Sequence, residues 1–439
     1  MKEINCKLIA ILAGISLSLA LSGCQNPFLQ LGKEAAAASA YSPFMVSPPE
    51  DSEGSLFTVS FITNGGSPVA SIPNVAPGSL ISEPESSMDY FIVEGWYKDP
   101  DLDDPWDFSY DEVNSNLTLY AGWEFDEDAQ GDGSEEYPFL VYDIITLDRV
   151  GSEAVGVNKW AMNSHYLQIK DIDWAKAGIN WTPIGKNFTD YFLGVYDGGG
   201  KIIFNLECIL PPGDSYAGLF IALKGTVKNL GLVNAVIEGK NNVGGIASFS
   251  DFGTIQNCFF RGSIKGEYNI GGISGSNGLG LIENCYADCD INGTFQIGGI
   301  TGMNNGGRIL NCYALGSVSG TYNAGGIAGR STGSETENCV ALNSLVKTTG
   351  NPVGRVHGGN TLLAPSDAPF VITNCYGSAD MDLICGAART PDSSLDGNDV
   401  GEERSAESWW IDTANWDFDH VWAWDAVKKL PVLQNMNGQ

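Results

Sequence analysis

The chain has 439 residues, and 53 Asp plus Glu against 23 Lys plus Arg give it a net charge of −30. So acidic a surface repels nucleic acid and anionic lipid headgroups, which excludes a phosphate-tracking role. With only 17% charged residues and 55 Gly, the composition suits tightly stacked turns and not long helices.

Residues 1–23 read as an address. Lys2 and Lys7 start it, Leu8 to Leu21 is an apolar run too short to span a bilayer, and Leu21-Ser22-Gly23-Cys24 closes it. Small residues ahead of a cysteine resemble a bacterial lipobox, which implies cleavage before Cys24, lipidation of its thiol and a place in the cell envelope at the outer membrane or cell surface. Residues 24–55, rich in Ala, Ser, Pro and acidic side chains, read as a flexible tether.

Residues 56–125 form a small domain. Phe57, Val59 and Phe61 alternate, Asn64-Gly65-Gly66 turns the chain, and Leu117, Leu119 and Ala121 alternate again before Trp123. With Gly95-Trp96-Tyr97-Lys98-Asp99 and Trp106-Asp107-Phe108 between them, the segment resembles the Listeria–Bacteroides repeat, the B repeat of internalin-type surface proteins. That resemblance implies a β-grasp-like spacer or binding module without catalytic residues. Residues 126–136 carry Asp126-x-Asp128-x-x-Gly131, which has the look of a calcium loop, but Tyr137 stands where a bidentate Glu is needed, so an acidic linker is expected.

Residues 137–390 hold a repeat. Gly244-Gly245-Ile246 returns at 271, 298 and 325, and Asn257-Cys258 returns at 284, 311 and 338, each step being 27 residues. The inward columns are Ile246, Ile273, Ile300 and Ile327; Ile255, Ile282 and Ile309, broken by Thr336; and Ile264, Ile291, Val318 and Leu345. Apolar runs this short, cut by glycine every few residues, make strands, so the fold expected is all-β: a right-handed parallel β-helix of 27-residue coils. Rungs stacked at ~4.8 Å place like residues on like residues. Ala217-Gly218-Leu219-Phe220 belongs to the same ladder, whereas Asn229 lies 28 residues before Asn257, which implies a one-residue deletion in a bend. Ahead of the ladder, Asp143 caps a short helix presenting Ile144, Ile145, Leu147 and Val150. "WTPIGKNFTDYFLGVYDGGGKIIFNL", "YAGLFIALKGTVKNLGLVNAVIEG" and the four "GGI…NC" units resemble GLUG-repeat proteins from Tyr137 to Leu433. Some members are surface peptidases, but the His-Glu-x-x-His of a separate catalytic domain is absent from this sequence.

After Val346 the regularity fades. Thr348 to Pro369 reads as a loop insertion carrying Arg355 and His357, Ile372 to Tyr376 as one more coil, and residues 391–439, with five Trp from Trp409 to Trp424, as a cap over the last coil.

Of the ten cysteines, Cys258, Cys285, Cys312 and Cys339 form a structural column; one strand spacing puts their Cβ atoms beyond usual disulfide reach, so stacked thiols are expected, with a local Cys285–Cys289 bridge the lesser alternative. His165, His357 and His420 lie far apart and supply no zinc set, and no cofactor fingerprint is present. Two aromatic columns are the candidate ligand-binding residues: Phe259, Tyr286 and Tyr313, and Tyr268, Phe295 and Tyr322. Stacked rings offer a platform for sugar faces or a partner protein, or else simply hold the coils and the cap together. Asp288 and Asp290 share an outer face, where glycoside chemistry would need paired carboxylates, but no recurring Arg or Lys is evident beside them and solvated surface is the expectation. The sequence thus leads to a non-enzymatic, lipid-anchored surface protein that presents an acidic solenoid for adhesion to a glycan or a host or cell-surface protein; a glycan-binding accessory role and a polysaccharide-active β-helix are the alternatives.

Overall fold

The computed structural model describes residues 55–439 apart from 155, 157–158, 186, 351, 360–369, 387–391 and 437. The signal peptide, Cys24 and nearly all of the tether lie outside the described residues.

The N-terminal module is a four-stranded sheet of β1 (Phe57–Ile62), β2 (Ile72–Val75), β3 (Phe91–Tyr97) and β4 (Leu117–Phe125), in the order β2-β1-β4-β3. The alternation read from the sequence puts Val59, Leu119 and Ala121 in its core, where Trp96 joins them. The Asn64-Gly65-Gly66 turn owes its glycine to close approach: a Cβ on Gly66 would meet the Trp123 ring at 2.2 Å, and that indole donates to the Thr63 carbonyl at 2.8 Å. Asp99, in the loop after β3, accepts backbone N–H bonds from Asp101, Asp103 and Asp104, which hold its carboxyl below the usual range.

From Phe139 onward the chain winds into a parallel β-solenoid of about eight turns. Each complete turn carries three strand segments. One face stacks Phe220–Leu223, Ala247–Asp251, Ser274–Gly278, Thr301–Asn305 and Ala328–Thr332; a second stacks Asn241–Gly244, Tyr268–Gly271, Phe295–Gly298, Tyr322–Gly325 and Val353–Gly354. The third and longest face includes Thr226–Glu238, Thr254–Lys265, Tyr286–Asn292 and Tyr313–Gly320. Register follows the repeat, with Tyr286 beside Tyr313 and Ile270 beside Ile297, until Val346, not Leu345, takes the inward place beside Val318.

Asparagine makes the corners. Asn229, Asn257, Asn284, Asn311, Asn338 and Asn374 all have φ between 49° and 53°, a left-handed conformation that Asn tolerates better than other side chains. Each amide donates to the one a rung earlier: Asn257 to Asn229 (3.1 Å), Asn284 to Asn257 (3.2 Å), Asn311 to Asn284 (3.1 Å) and Asn338 to Asn311 (3.1 Å). The Gly-Gly pairs do something different from bending. None of the four pairs has positive φ; instead a Cβ on Gly272 would meet the Gly299 carbonyl at 2.2 Å, so glycine is needed where successive rungs nearly touch.

The deletion read before Asn257 sits in the bend between Leu223 and Thr226, and Asn234 restores the count as an extra residue opposite the Val233/Ala235 register shift. The helix Ile144–Arg149 forms with a capping box between Asp143 and Thr146; Leu147 and Val150 are buried, but Ile145 faces solvent.

Three expectations change. Residues 126–136 are not a solvated linker: the Gln130 side chain pairs with both backbone groups of Leu140, and the Gly133 carbonyl accepts from His165, so the segment covers the edge of the first rung. Thr348 to Pro369 is not wholly an insertion. Val353-Gly354 pairs with Ala324-Gly325, and the Val356 carbonyl accepts from Ile327, making Val353 to His357 a further arc of the ladder; residues 360–369 lie outside the described ones. The tail does more than close the last coil. Asn398–Val400 pairs with Tyr376–Ser378 there, but the chain then runs back along the long face as a strap, until Gly438 accepts from Arg261 and a Cβ on Gly438 would meet Ile202 at 2.4 Å.

Candidate functional site

The two aromatic columns stack alike. Phe259, Tyr286 and Tyr313 have ring centroids 4.9 and 4.8 Å apart with planes within 1° and 9°; Tyr268, Phe295 and Tyr322 are 4.7 and 5.1 Å apart within 8° and 12°. Parallel rungs impose that spacing on any like pair.

Their surroundings differ. Phe259, Tyr286 and Tyr313 are 0, 3 and 2% exposed, so they are not available to a ligand in this fold. They point outward from the coil, as the sequence suggests, but the strap roofs them: Trp410, Trp416 and Trp422 each lie 6.0 Å from the Tyr313 ring, and its hydroxyl donates to the Pro431 carbonyl at 2.8 Å. The Trp416 indole donates to the Asn338 carbonyl, which fixes the strap to the Asn corner. Burial pushes the Tyr286 and Tyr313 hydroxyls well above their ordinary range. Nothing in the sequence positions the strap, although a surplus of Trp near the terminus beside an outward aromatic column was the available signal.

The second column is open. Tyr268 is 42% and Tyr322 40% exposed, with Phe295 half-buried between them. Its ring faces are already used: each covers the next, and Gly350 closes on Tyr322, where a Cβ would lie 2.5 Å from the ring. What this ladder offers outward is chiefly ring edges and two phenol hydroxyls.

The cysteine column is packing. Cys258, Cys285, Cys312 and Cys339 are buried free thiols continued by Cys375, and each lies 3.1–3.3 Å from the carbonyl two residues earlier. Burial raises Cys258, Cys312 and Cys375, keeping them protonated and unreactive. Cys289 is likewise a buried free thiol, between Gly262 and Gly316 in register and not bridged to Cys285.

Asp288 and Asp290 flank Cys289 on the outer surface. Arg261, one rung earlier and in register, stands 3.8 Å from Asp288, a basic neighbour the sequence reading overlooked; Asp290 accepts from Ser317 at 2.6 Å. The histidines stay apart in function. His420 sits exposed beside Asp417, whereas His357 is fully buried, hydrogen-bonded to Thr336 (3.0 Å) and stacked on Phe370. Thr336, the break in the Ile column, is thus matched by a polar partner, and burial lowers the His357 pKa to about 3. Among the described residues no group of three or more His, Cys, Asp or Glu side chains is placed to hold a metal ion, and no helix is long and apolar enough to cross a membrane.

A protein of Evansella cellulosilytica, provisionally named a membrane protein, is 42% identical over 73 residues, 16% of this chain and 11% of its own length. Halomucin of Haloquadratum walsbyi is 30% identical over 142 residues, 30% of this chain and 2% of its own length. The chain therefore spans a small fraction of either relative. A crystal structure from Bacteroides ovatus, provisionally named an immunoglobulin A1 protease, superposes with a TM-score of 0.58 at 24% identity over 70% of this chain and 95% of that one, a likeness of fold. Residues 57–122 match the family model of the Listeria-Bacteroides repeat domain, so the N-terminal sheet is a domain of that family.

Proposed function

We propose that the chain is a non-catalytic cell-surface lipoprotein, carried on a lipidated Cys24 and a tether, whose GLUG-type solenoid binds an extracellular ligand. The observation that carries the reading is the contrast between the two aromatic ladders: one is roofed by the strap, while Tyr268, Phe295 and Tyr322 are left open on a rigid scaffold. An exposed aromatic array is costly to leave in water and serves recognition well. The surface charge further favours ligands that are neutral or basic. The Listeria-Bacteroides domain, in this reading, spaces the solenoid from the membrane.

The test is binding of the full-length protein to a glycan array and to host matrix proteins, run beside assays for reducing-sugar release and for cleavage of immunoglobulin A1. Binding without turnover is expected, and replacing Tyr268 and Tyr322 by Ser should weaken it. Turnover of either substrate would overturn the non-catalytic reading and direct attention to Asp288 and Asp290 or to an unrecognised site. Release of the protein from membranes by Cys24→Ala tests the anchor.

A further inference from the structure

Where strands Asn241–Gly244 and Ala247–Asp251 of one turn fold against each other, their outward side chains border a groove with a cavity volume of about 320 Å³. Asn242 and Asn269 line one side, both with positive φ, and the Asn269 amide donates to Asn242 at 2.7 Å. Phe249, Ser276 and Met303, in register on successive rungs, line the other. Leu279 forms the rim.

Leu279 is out of place by every local criterion. It is 55% exposed at φ 57°, and Phe252, one rung earlier, is 62% exposed at φ 60°. The same repeat position holds Gly306 and Gly333 in the next two rungs. A left-handed backbone strains an ordinary side chain, and glycine would avoid that strain as well as the exposed apolar surface. Leu279 lies across the next rung, its Cδ2 2.6 Å from where a Gly306 Cβ would stand, and so walls the groove.

We infer that this groove binds an extended, uncharged polysaccharide. Its lining carries one charged group, Asp251, already paired with Lys224 at 3.2 Å, so it attracts neither a polyanion nor a polycation, and the net charge of −30 repels anionic glycans. A primary amide has two N–H donors, and the rung ladder uses one, leaving the other for a hydroxyl. Phe249, Met303 and Leu279 suit the C–H faces of sugar rings, and the residue repeat of an extended glycan is close to the rung spacing of ~4.8 Å. A peptide adding as a strand needs open backbone groups, whereas the strands lining the groove are already paired with their neighbours in their sheets. The inference rests on the ligand-binding reading above and adds the groove to the aromatic ladder as a contact.

Calorimetric titration of the full-length protein with a mixed-linkage β-glucan, a galactomannan and a dextran tests it, with polygalacturonate as the anionic reference. Binding of at least one neutral chain is expected, weakened tenfold or more in the double variant Asn269→Gly and Leu279→Gly. Both substitutions keep the left-handed backbone; Leu279→Gly should raise the melting temperature and Asn269→Gly, which loses the bond to Asn242, should lower it slightly, so the fold should hold. Neutral-glycan binding untouched by this variant but lost in Tyr268→Ser with Tyr322→Ser would overturn the groove and leave the surface-binding reading standing. Binding of polygalacturonate alone would overturn the ligand class, and binding of none of the four chains would overturn the groove, leaving the wider ligand-binding reading to the glycan array and matrix proteins.

Discussion

The two aromatic ladders are built by the same repeat, with the same ring spacing and the same near-parallel planes, yet one is core and the other surface. The difference lies in no residue of either ladder. It comes from the strap, a segment more than 90 residues downstream of Tyr313 that brings Trp410, Trp416 and Trp422 onto one column and not the other. A solenoid column therefore has no fixed role until the chain outside the repeat is placed.

Removing the roof should have the largest effect. Trp422, fully buried against Trp416 and Tyr313, should cost about 3–5 kcal/mol when replaced by Ala. Binding of a hydrophobic dye should rise as the first ladder becomes accessible, and a fully stable variant would show that the strap is dispensable.

Burial at the far end of the ladder can be probed by pH. The His357 pKa is held at about 3, against ~6.5 unfolded, so the unfolded chain takes up more protons in that window. Stability from this residue is fully present above pH ~6.5 and falls by about 1.4 kcal/mol per pH unit below it, reaching about 2 kcal/mol at pH ~5. Chemical denaturation of wild type against His357→Gln should show that slope as a difference; parallel curves would remove His357 from the core.

The Asn corner sets the rung geometry shared by both ladders. Asn311→Ala loses two ladder bonds and puts Ala at φ 52°, which should cost about 2 kcal/mol, whereas Asn311→Gly should cost less because only the bonds are lost. Equal losses would mean that the backbone strain is negligible. The smallest effect belongs to the open ladder: Tyr268→Ser with Tyr322→Ser should change stability by under about 1 kcal/mol, measured by thermal unfolding, since exposed positions contribute little. A larger loss would make this ladder structural as well.

The 27-residue step and the Ile and Cys columns made the coil, its register and its core legible in the sequence, because a repeat averages out local ambiguity. The Asn column was legible as a mark but not as a cause: only backbone angles reveal that it turns the corner. Val353 to His357 escaped notice because Arg355 replaces the second glycine of the arc and the rung carries two more residues than its predecessor. The candidate site was half legible. Periodicity placed both ladders on the outside of the coil, but a long-range contact such as Tyr313 with Pro431 leaves no local trace, and the groove beside Leu279 depends on how two strands of one turn fold together.

The strap also bears on the order of events when the protein is made. Its final residues rest on Ile202 and Arg261, among the earlier rungs of the solenoid. A ribosome delivers those rungs before the strap, so the growing chain carries its aromatic column bare until the strap has emerged. A truncation ahead of Trp410 would leave that column permanently uncovered and prone to self-association, even with every turn of the coil formed.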